Sequence, residues 1–181
     1  MWVIKNNRIS IIKIEKEYTD FLRCNIDSKI PLEHTGEDDL SRAFVGIILS
    51  NNGIEYVIPL TSPKAKHKKM HNMVDFQKID NGLYGAINFN NMFPVVSSED
   101  VYQEVNTDLT GITDPNEIHY INLLKNQLTW LNIESNKQIV LRKAQKLYEK
   151  YCDGSLNEKI RNRCCNFIEL EKHYIDYLDR L

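Results

Sequence analysis

Apolar and polar positions change period several times along this chain, and each change marks an element. Ile9, Ile11, Ile12 and Ile14 predict a strand over 9–14, with Ile9 and Ile11 on one face and Ile12 and Ile14 on the other. From Glu15 to Cys24 the period lengthens, and Tyr18, Phe21 and Leu22 at i, i+3, i+4 predict a short helix. Asn25 to Ser41 is polar and irregular, with Pro31, Gly36 and the acidic run Glu37-Asp38-Asp39; a loop of that length is usually functional or mobile. Ala43 to Leu49 is a continuous apolar run, the mark of a strand buried on both faces. Asn51-Asn52-Gly53 tolerates positive φ and predicts a tight hairpin to a return strand over 54–60. Further strands are expected over 74–79, 84–89 and 92–96, with Asp80-Asn81-Gly82 as a turn.

The last third is helical. Asp114-Pro115-Asn116-Glu117 supplies an N-cap, a proline at the first helical position and an acid at the third, ahead of a stripe of Ile118, Ile121, Leu124, Leu128 and Leu131. Ser135 is placed to cap a second helix carrying Ile139, Leu147 and Tyr151 and stopping near Gly154. A third helix opens at Asn166, with Glu169 completing a capping box, and carries Phe167, Leu170, Tyr174 and Leu178. Strand, helix, several strands and then helices is an α+β order, and the expectation is one domain over residues 1–181. Strands at this spacing predict a compact, strongly bent antiparallel sheet or small barrel with surrounding helices, mostly C-terminal.

Composition changes this picture little. Hydrophobic content of 42% and charged content of 27% are those of an ordinary globular chain. No stretch approaches the run of about 18 apolar residues of a membrane span, and Met1 to Arg8 turns polar too early for a signal peptide. Cys24, Cys152, Cys164 and Cys165 make neither a CxxC pair nor a zinc spacing, which fits a reduced, cytoplasmic setting. The net charge of −2 conceals segregation: between Glu55 and Asp75 there is no acid, yet Lys64, Lys66, Lys68 and Lys69 fall there with His67 and His71.

That interval follows a strand end carrying two hydroxyls, Thr61 and Ser62. Two readings fit it: a polar turn with a solvated basic loop, or a phosphate site. The hairpin favours the second, because antiparallel pairing brings Arg42 beside Thr61-Ser62. His67 and His71 have a metal-binding spacing, but four lysines around them oppose a divalent cation, and no metal or other cofactor is expected. No GxxxxGK loop occurs among the scattered glycines. RNA supplies its own nucleophile, so hydroxyls and cations suffice to hold the 2′-oxygen in line and neutralise developing charge. Lys64 and Arg42 would take the non-bridging oxygens, and Ser62 would donate a hydrogen bond or relay a proton. His67 is the local group whose ordinary pKa suits proton transfer, against the plainer reading of an exposed loop histidine.

Four stretches in order resemble the ToxN/AbiQ toxins of type III toxin–antitoxin systems. Arg42-Ala43-Phe44-Val45-Gly46-Ile47 is similar to that family's basic strand, and Pro59-Leu60-Thr61-Ser62-Pro63-Lys64 to its central signature. Gly85-Ala86-Ile87-Asn88 with Met92-Phe93-Pro94-Val95 resembles the strand and turn that follow, and Cys165-Asn166-Phe167 with Leu170-Glu171-Lys172-His173-Tyr174 the opening of its last helix. The resemblance implies a Kid/MazF-like core and a metal-independent endoribonuclease leaving 2′,3′-cyclic phosphate and 5′-hydroxyl ends. It implies as partner an antitoxin RNA of pseudoknot repeats, which the toxin processes and holds in a closed toxin–RNA hetero-oligomer, without membrane or obligate protein partner. Cellular or phage RNA is the implied substrate, and growth arrest or abortive infection the outcome.

Thr61, Ser62 and Lys64 fall on the family's catalytic signature, and Arg42 falls where several relatives have lysine. A tyrosine that some relatives carry upstream has no clear counterpart, since Asp38 or Asp39 falls near the spot; Tyr56, Tyr84 and His67 stay open as proton-transfer groups. Met1 to Asn7 looks like an extension beyond the family's usual start. Lys66, His67, Lys68 and Lys69, with Lys137, Arg142, Lys143 and Lys146 of the second C-terminal helix, are expected to line the RNA groove. The rival readings are a non-catalytic RNA-binding regulator that uses the same cations, and a metal-dependent nuclease.

Overall fold

A computed structural model describes residues 1–31 and 45–180. Arg42, the acidic run 37–39 and most of the expected 25–41 loop lie outside the described residues. Among the described residues eight strands form one antiparallel sheet: β1 (Trp2–Val3), β2 (Ile11–Ile14), β3 (Val45–Asn51), β4 (Ile54–Thr61), β5 (Phe76–Lys78), β6 (Ala86–Asn88), β7 (Phe93–Val95) and β8 (Tyr102–Glu104). The order is β5-β6-β4-β3-β2-β8, with β1 on β3 and β7 on β4. Among the described residues this path has two free ends, so the sheet is open, which corrects the alternative of a small barrel. The helices are α1 (Lys16–Asn25), α2 (Ala65–Lys69), α3 (Pro115–Leu131), α4 (Glu134–Cys152), α5 (Glu158–Arg161) and α6 (Phe167–His173).

The β3–β4 hairpin is the axis of the fold. Asn52 and Gly53 make its turn with φ of 50° and 87°, and the ladder runs from Asn51↔Ile54 to Gly46↔Pro59. Tyr56 to Leu60 are all buried, because β4 is central and both of its faces are covered. Its outer partner is β7 at Glu55–Val57 and β6 at Leu60–Thr61, and Pro59, which has no N–H for a ladder, falls where one partner gives way to the other. Gly46 is required by close approach: a Cβ there would stand 2.6 Å from Val57 Cγ1 and 2.8 Å from the Ile58 carbonyl oxygen. Ile9, Ile11, Ile12 and Ile14 are all buried, so both faces of this segment are covered where β2 runs between β3 and β8.

Of the three caps expected in the C-terminal helices, two form and one does not. Asp114 accepts from Asn116 N at 2.9 Å, and Asn166 accepts from Glu169 N at 3.3 Å. The exception is α4, where Ser135 lies inside the first turn and Ile133 takes the cap position, its carbonyl receiving both Asn136 N and Lys137 N at 2.9 Å. After α6 the chain winds as a 3-10 helix over Tyr174–Arg180, so Tyr177 rather than Leu178 turns inward. Val140, Leu147, Phe167 and Leu170 complete a core begun by Ile47, Tyr56, Val57 and Phe93, each large side chain contributing about 1.5–3 kcal/mol. Among the described residues no helix is long and apolar enough to cross a membrane.

Candidate active site

The end of β4 is where the signature residues stand. Thr61 pairs with Ala86 and leaves the sheet into Ser62-Pro63-Lys64, with both hydroxyl residues partly exposed. Lys64, in extended conformation, takes the N-cap position of α2, and its carbonyl receives His67 N at 2.9 Å. The basic segment is therefore a one-turn helix and not a loop. Lys64, Lys66, Lys68 and Lys69 are exposed around it, while His67 is 2% exposed and packs on Phe76 with ring centroids 5.8 Å apart. This overturns both the exposed-loop reading of His67 and its place among RNA-contacting side chains: it is the inward anchor of α2.

A turn over residues 79–85 forms the floor. Ile79 N donates to Gly85 O at 3.0 Å and Gly82 N to Ile79 O at 2.9 Å, closing a compact loop in which Asp80, Asn81, Gly82 and Gly85 all have positive φ. Gly82 lies against the main chain of His67, where a Cβ would come within 3.0 Å of its carbonyl carbon. Gly85 lies against Thr61 and Ser62, where a Cβ would overlap the Thr61 carbonyl oxygen. Gln127 of α3 donates from Nε2 to Tyr84 O at 2.8 Å. Sequence reasoning missed Gly85 and Gln127, although a glycine inside an apparent strand is itself a sign of close backbone approach.

Electrostatics follow from this packing. Burial first, then the neighbouring Lys66 and Lys64 ammonium groups, hold the His67 pKa below the ordinary histidine range. Thr61 Oγ1 and His67 Nδ1 are buried with no hydrogen-bond partner among the described residues. Orphaned polar atoms are uncommon in native interiors, and each calls for a physical reason.

The cations of α4 divide. Arg142 and Lys146 are exposed. Lys137 is buried at 7% exposure, with its ammonium donating to Asn7 O at 3.1 Å and Asn7 Oδ1 at 3.2 Å and pairing with Glu134 at 2.7 Å. Lys143 donates to Met73 O at 2.6 Å and Phe76 O at 2.9 Å. Both lysines tie separate segments together; Lys137 is buried away from any groove, which corrects the expectation for it, while Lys143 is half-exposed with its ammonium on two carbonyls. Tyr56 is fully buried with its hydroxyl on Glu171, so it drops out as a proton-transfer group, whereas Tyr84 is half-buried beside Gly85. Among the described residues no three His, Cys, Asp or Glu side chains gather as a metal site.

Known proteins resemble this chain in sequence and in fold. The profile of the family described as "Toxin ToxN, type III toxin-antitoxin system" matches residues 10–175, which leaves the strand-forming N-terminal stretch outside it. Endoribonuclease ToxN of Bacillus thuringiensis subsp. kurstaki is 31% identical over 92% of this chain and 83% of its own length. Endoribonuclease ToxN of Pectobacterium atrosepticum is 28% identical over 91% of each. A solved structure from a study of selective toxin inhibition by a non-coding RNA pseudoknot superposes with a TM-score of 0.72 at 28% identity, covering 96% of this chain and 99% of that one. AbiQ, a lactococcal anti-phage endoribonuclease, shares the fold with a TM-score of 0.70 at 17% identity, covering 95% and 99%. The chain belongs to the ToxN family of toxins of type III toxin–antitoxin systems.

Proposed function

We propose that this chain is a metal-independent endoribonuclease toxin that cleaves RNA at the end of β4. The observation that carries the reading is the meeting of two hydroxyl residues, Thr61 and Ser62, both backed by Gly85, with the exposed Lys64 at the start of α2. The substrate's 2′-oxygen attacks the phosphorus as its proton leaves, the bond to the 5′-oxygen breaks, and that oxygen takes up a proton. The products are a 2′,3′-cyclic phosphate and a 5′-hydroxyl. Lys64 and Arg42 neutralise the non-bridging oxygens, Ser62 donates a hydrogen bond to the same charge, and Thr61 Oγ1, buried and unpartnered in the free protein, joins it when RNA binding opens that pocket. Lys66, Lys68 and Lys69, with Arg142 and Lys146, give sequence-independent affinity for the backbone.

By the same reading the chain acts in the cytoplasm, and its inhibitor is a repeated pseudoknot RNA that it processes and holds in a closed toxin–RNA assembly. Free toxin cuts cellular or phage RNA and arrests growth or aborts infection. The relatives named endoribonuclease, and the related toxin inhibited by an RNA pseudoknot, support this. The antiparallel sheet built around β4 supports a core of the Kid and MazF kind.

The test is cleavage by purified Ser62→Ala and Lys64→Ala. Both variants should lose cleavage and toxicity while still binding the antitoxin RNA, and wild-type cleavage should survive EDTA and leave cyclic-phosphate ends by mass spectrometry. Active variants would show the site to be elsewhere, and EDTA sensitivity would show a metal to be required.

A further inference from the structure

One polar side chain reaches the floor of this site from the helical layer. Gln127 is 2% exposed and lies on the apolar stripe of α3, with buried Leu124 three residues before it and buried Leu131 four after. A leucine would satisfy packing at that position. The amide instead donates to Tyr84 O at 2.8 Å, while Oε1 is buried with no partner among the described residues. A carbonyl only accepts, so the amide must turn its nitrogen toward Tyr84, and the orphaned oxygen is the consequence.

Tyr84 O belongs to the peptide that enters Gly85, and Gly85 bears directly on the main chain of Thr61 and Ser62. A turn with four positive-φ residues holds a shape that few sequences favour, and a tether from a separate element fixes its height against β4. We infer that Gln127 is a positioning residue for cleavage: it sets the Tyr84–Gly85 peptide beneath Thr61-Ser62, and through it the distance of the two hydroxyls from the scissile phosphate. The inference rests on the reading of Thr61, Ser62 and Lys64 as the cleavage site. The exposed cations that carry RNA affinity, Lys66, Lys68 and Lys69 on α2 and Arg142 and Lys146 on α4, are long side chains that absorb a small shift of the turn, whereas the two short hydroxyls do not, so the effect falls on kcat more than on KM.

The experiment measures kcat and KM on a short single-stranded RNA for wild type, Gln127→Leu, Gln127→Glu and Ser62→Ala. Gln127→Leu should lower kcat by roughly 10- to 100-fold, as a small misplacement of reacting groups does, with KM within about twofold and no loss of melting temperature. In Gln127→Glu the ionised carboxylate has no proton for Tyr84 O, whereas the protonated acid does. The activity of that variant relative to wild type should therefore climb as pH falls from about 8 to about 5.5. Asp80 in the turn, His67 packed on Gly82 and Lys78 on the neighbouring strand are present in both proteins, so their contributions cancel in that ratio. Wild-type kcat in Gln127→Leu, or a pH-independent ratio for Gln127→Glu, overturns the positioning role; should Gln127→Leu not fold, the ratio alone decides. A Ser62→Ala protein that still cleaves overturns the site itself. A dead Ser62→Ala beside a fully active Gln127→Leu removes only Gln127.

Discussion

Gly85 lies so close beneath Thr61 that no Cβ fits between them: a carbon built there would overlap the Thr61 carbonyl oxygen and stand 3.1 Å from the Ser62 carbonyl carbon. Its φ of 92° is also a conformation that side chains avoid. Gly53, at the hairpin tip, has a similar φ of 87° but nothing within 4 Å of its Cβ position. The pair separates strain from contact. Gly53→Ala should cost only the backbone term, about 1–2 kcal/mol, and leave cleavage unaltered. Gly85→Ala must push β4 off the 79–85 turn and should lose more than about 100-fold in cleavage besides its larger loss of stability. Thermal melts with a cleavage assay check this, and equal behaviour of the two variants would show that Gly85 does not support the site.

The lysines predict a split in salt dependence. Exposed Lys66, Lys68 and Lys69 are free to displace counterions from a bound RNA, so each alanine substitution should lower the slope of log K against log salt by roughly 0.7–1. Lys137 and Lys143 have their ammonium groups committed to Asn7 and to the carbonyls of Met73 and Phe76. Lys137→Met and Lys143→Met should leave the slope unchanged and lower the melting temperature instead. A reduced slope in Lys137→Met would place that side chain on RNA.

These lysines also mark where sequence reading stops. The β3–β4 hairpin was legible because Asn52 and Gly53 meet a local requirement for positive φ, and α3 and α6 because Asp114 and Asn166 cap their own turns. The signature Thr61-Ser62-Pro63-Lys64 is contiguous and could be read as it stands. The fate of Lys137 is set by Asn7, 130 residues away, and no helical period records such a contact. The strands β1 and β8 are two and three residues long and exist only by pairing, which spacing does not reveal. The helical form of α2 was hidden because its only inward side chain is His67, leaving no stripe to detect. Barrel closure was equally invisible, since it turns on whether β5 and β8 meet.

His67 gives a pH prediction with a definite sign. Burial and the adjacent lysines hold its folded pKa below the unfolded value of 6.5, so in the window between the two the unfolded chain binds more protons. Stability from this group is fully present above pH 6.5 and is lost as pH falls through the folded pKa. His67→Phe keeps a ring against Phe76 and removes the titration. Its melting temperature relative to wild type should be constant above pH 6.5 and improve progressively below it. A difference that stays flat across that range would mean that His67 is solvated when α2 is docked.

Asp75 ties the segment after α2 to the helical layer and sets a test of non-additivity. It is 2% exposed; Oδ2 accepts from Arg163 Nε at 2.5 Å, Oδ1 has no partner among the described residues, and Lys143 approaches from α4. Arg163 is itself half-exposed, so its charge is partly screened by water and the pair is worth less than a fully buried one. Removing the arginine nonetheless strands a buried carboxylate with its main donor gone. Arg163→Ala should therefore cost about 2–3 kcal/mol in urea unfolding at constant m, and Asp75→Asn, which removes the charge that needs the partner, roughly half of that. The double variant should be less destabilised than the sum of the two, because once residue 75 is neutral the loss of Arg163 leaves no stranded charge. Additive losses would mean that the two side chains do not share one electrostatic contact, and that Lys143 alone holds Asp75 in place.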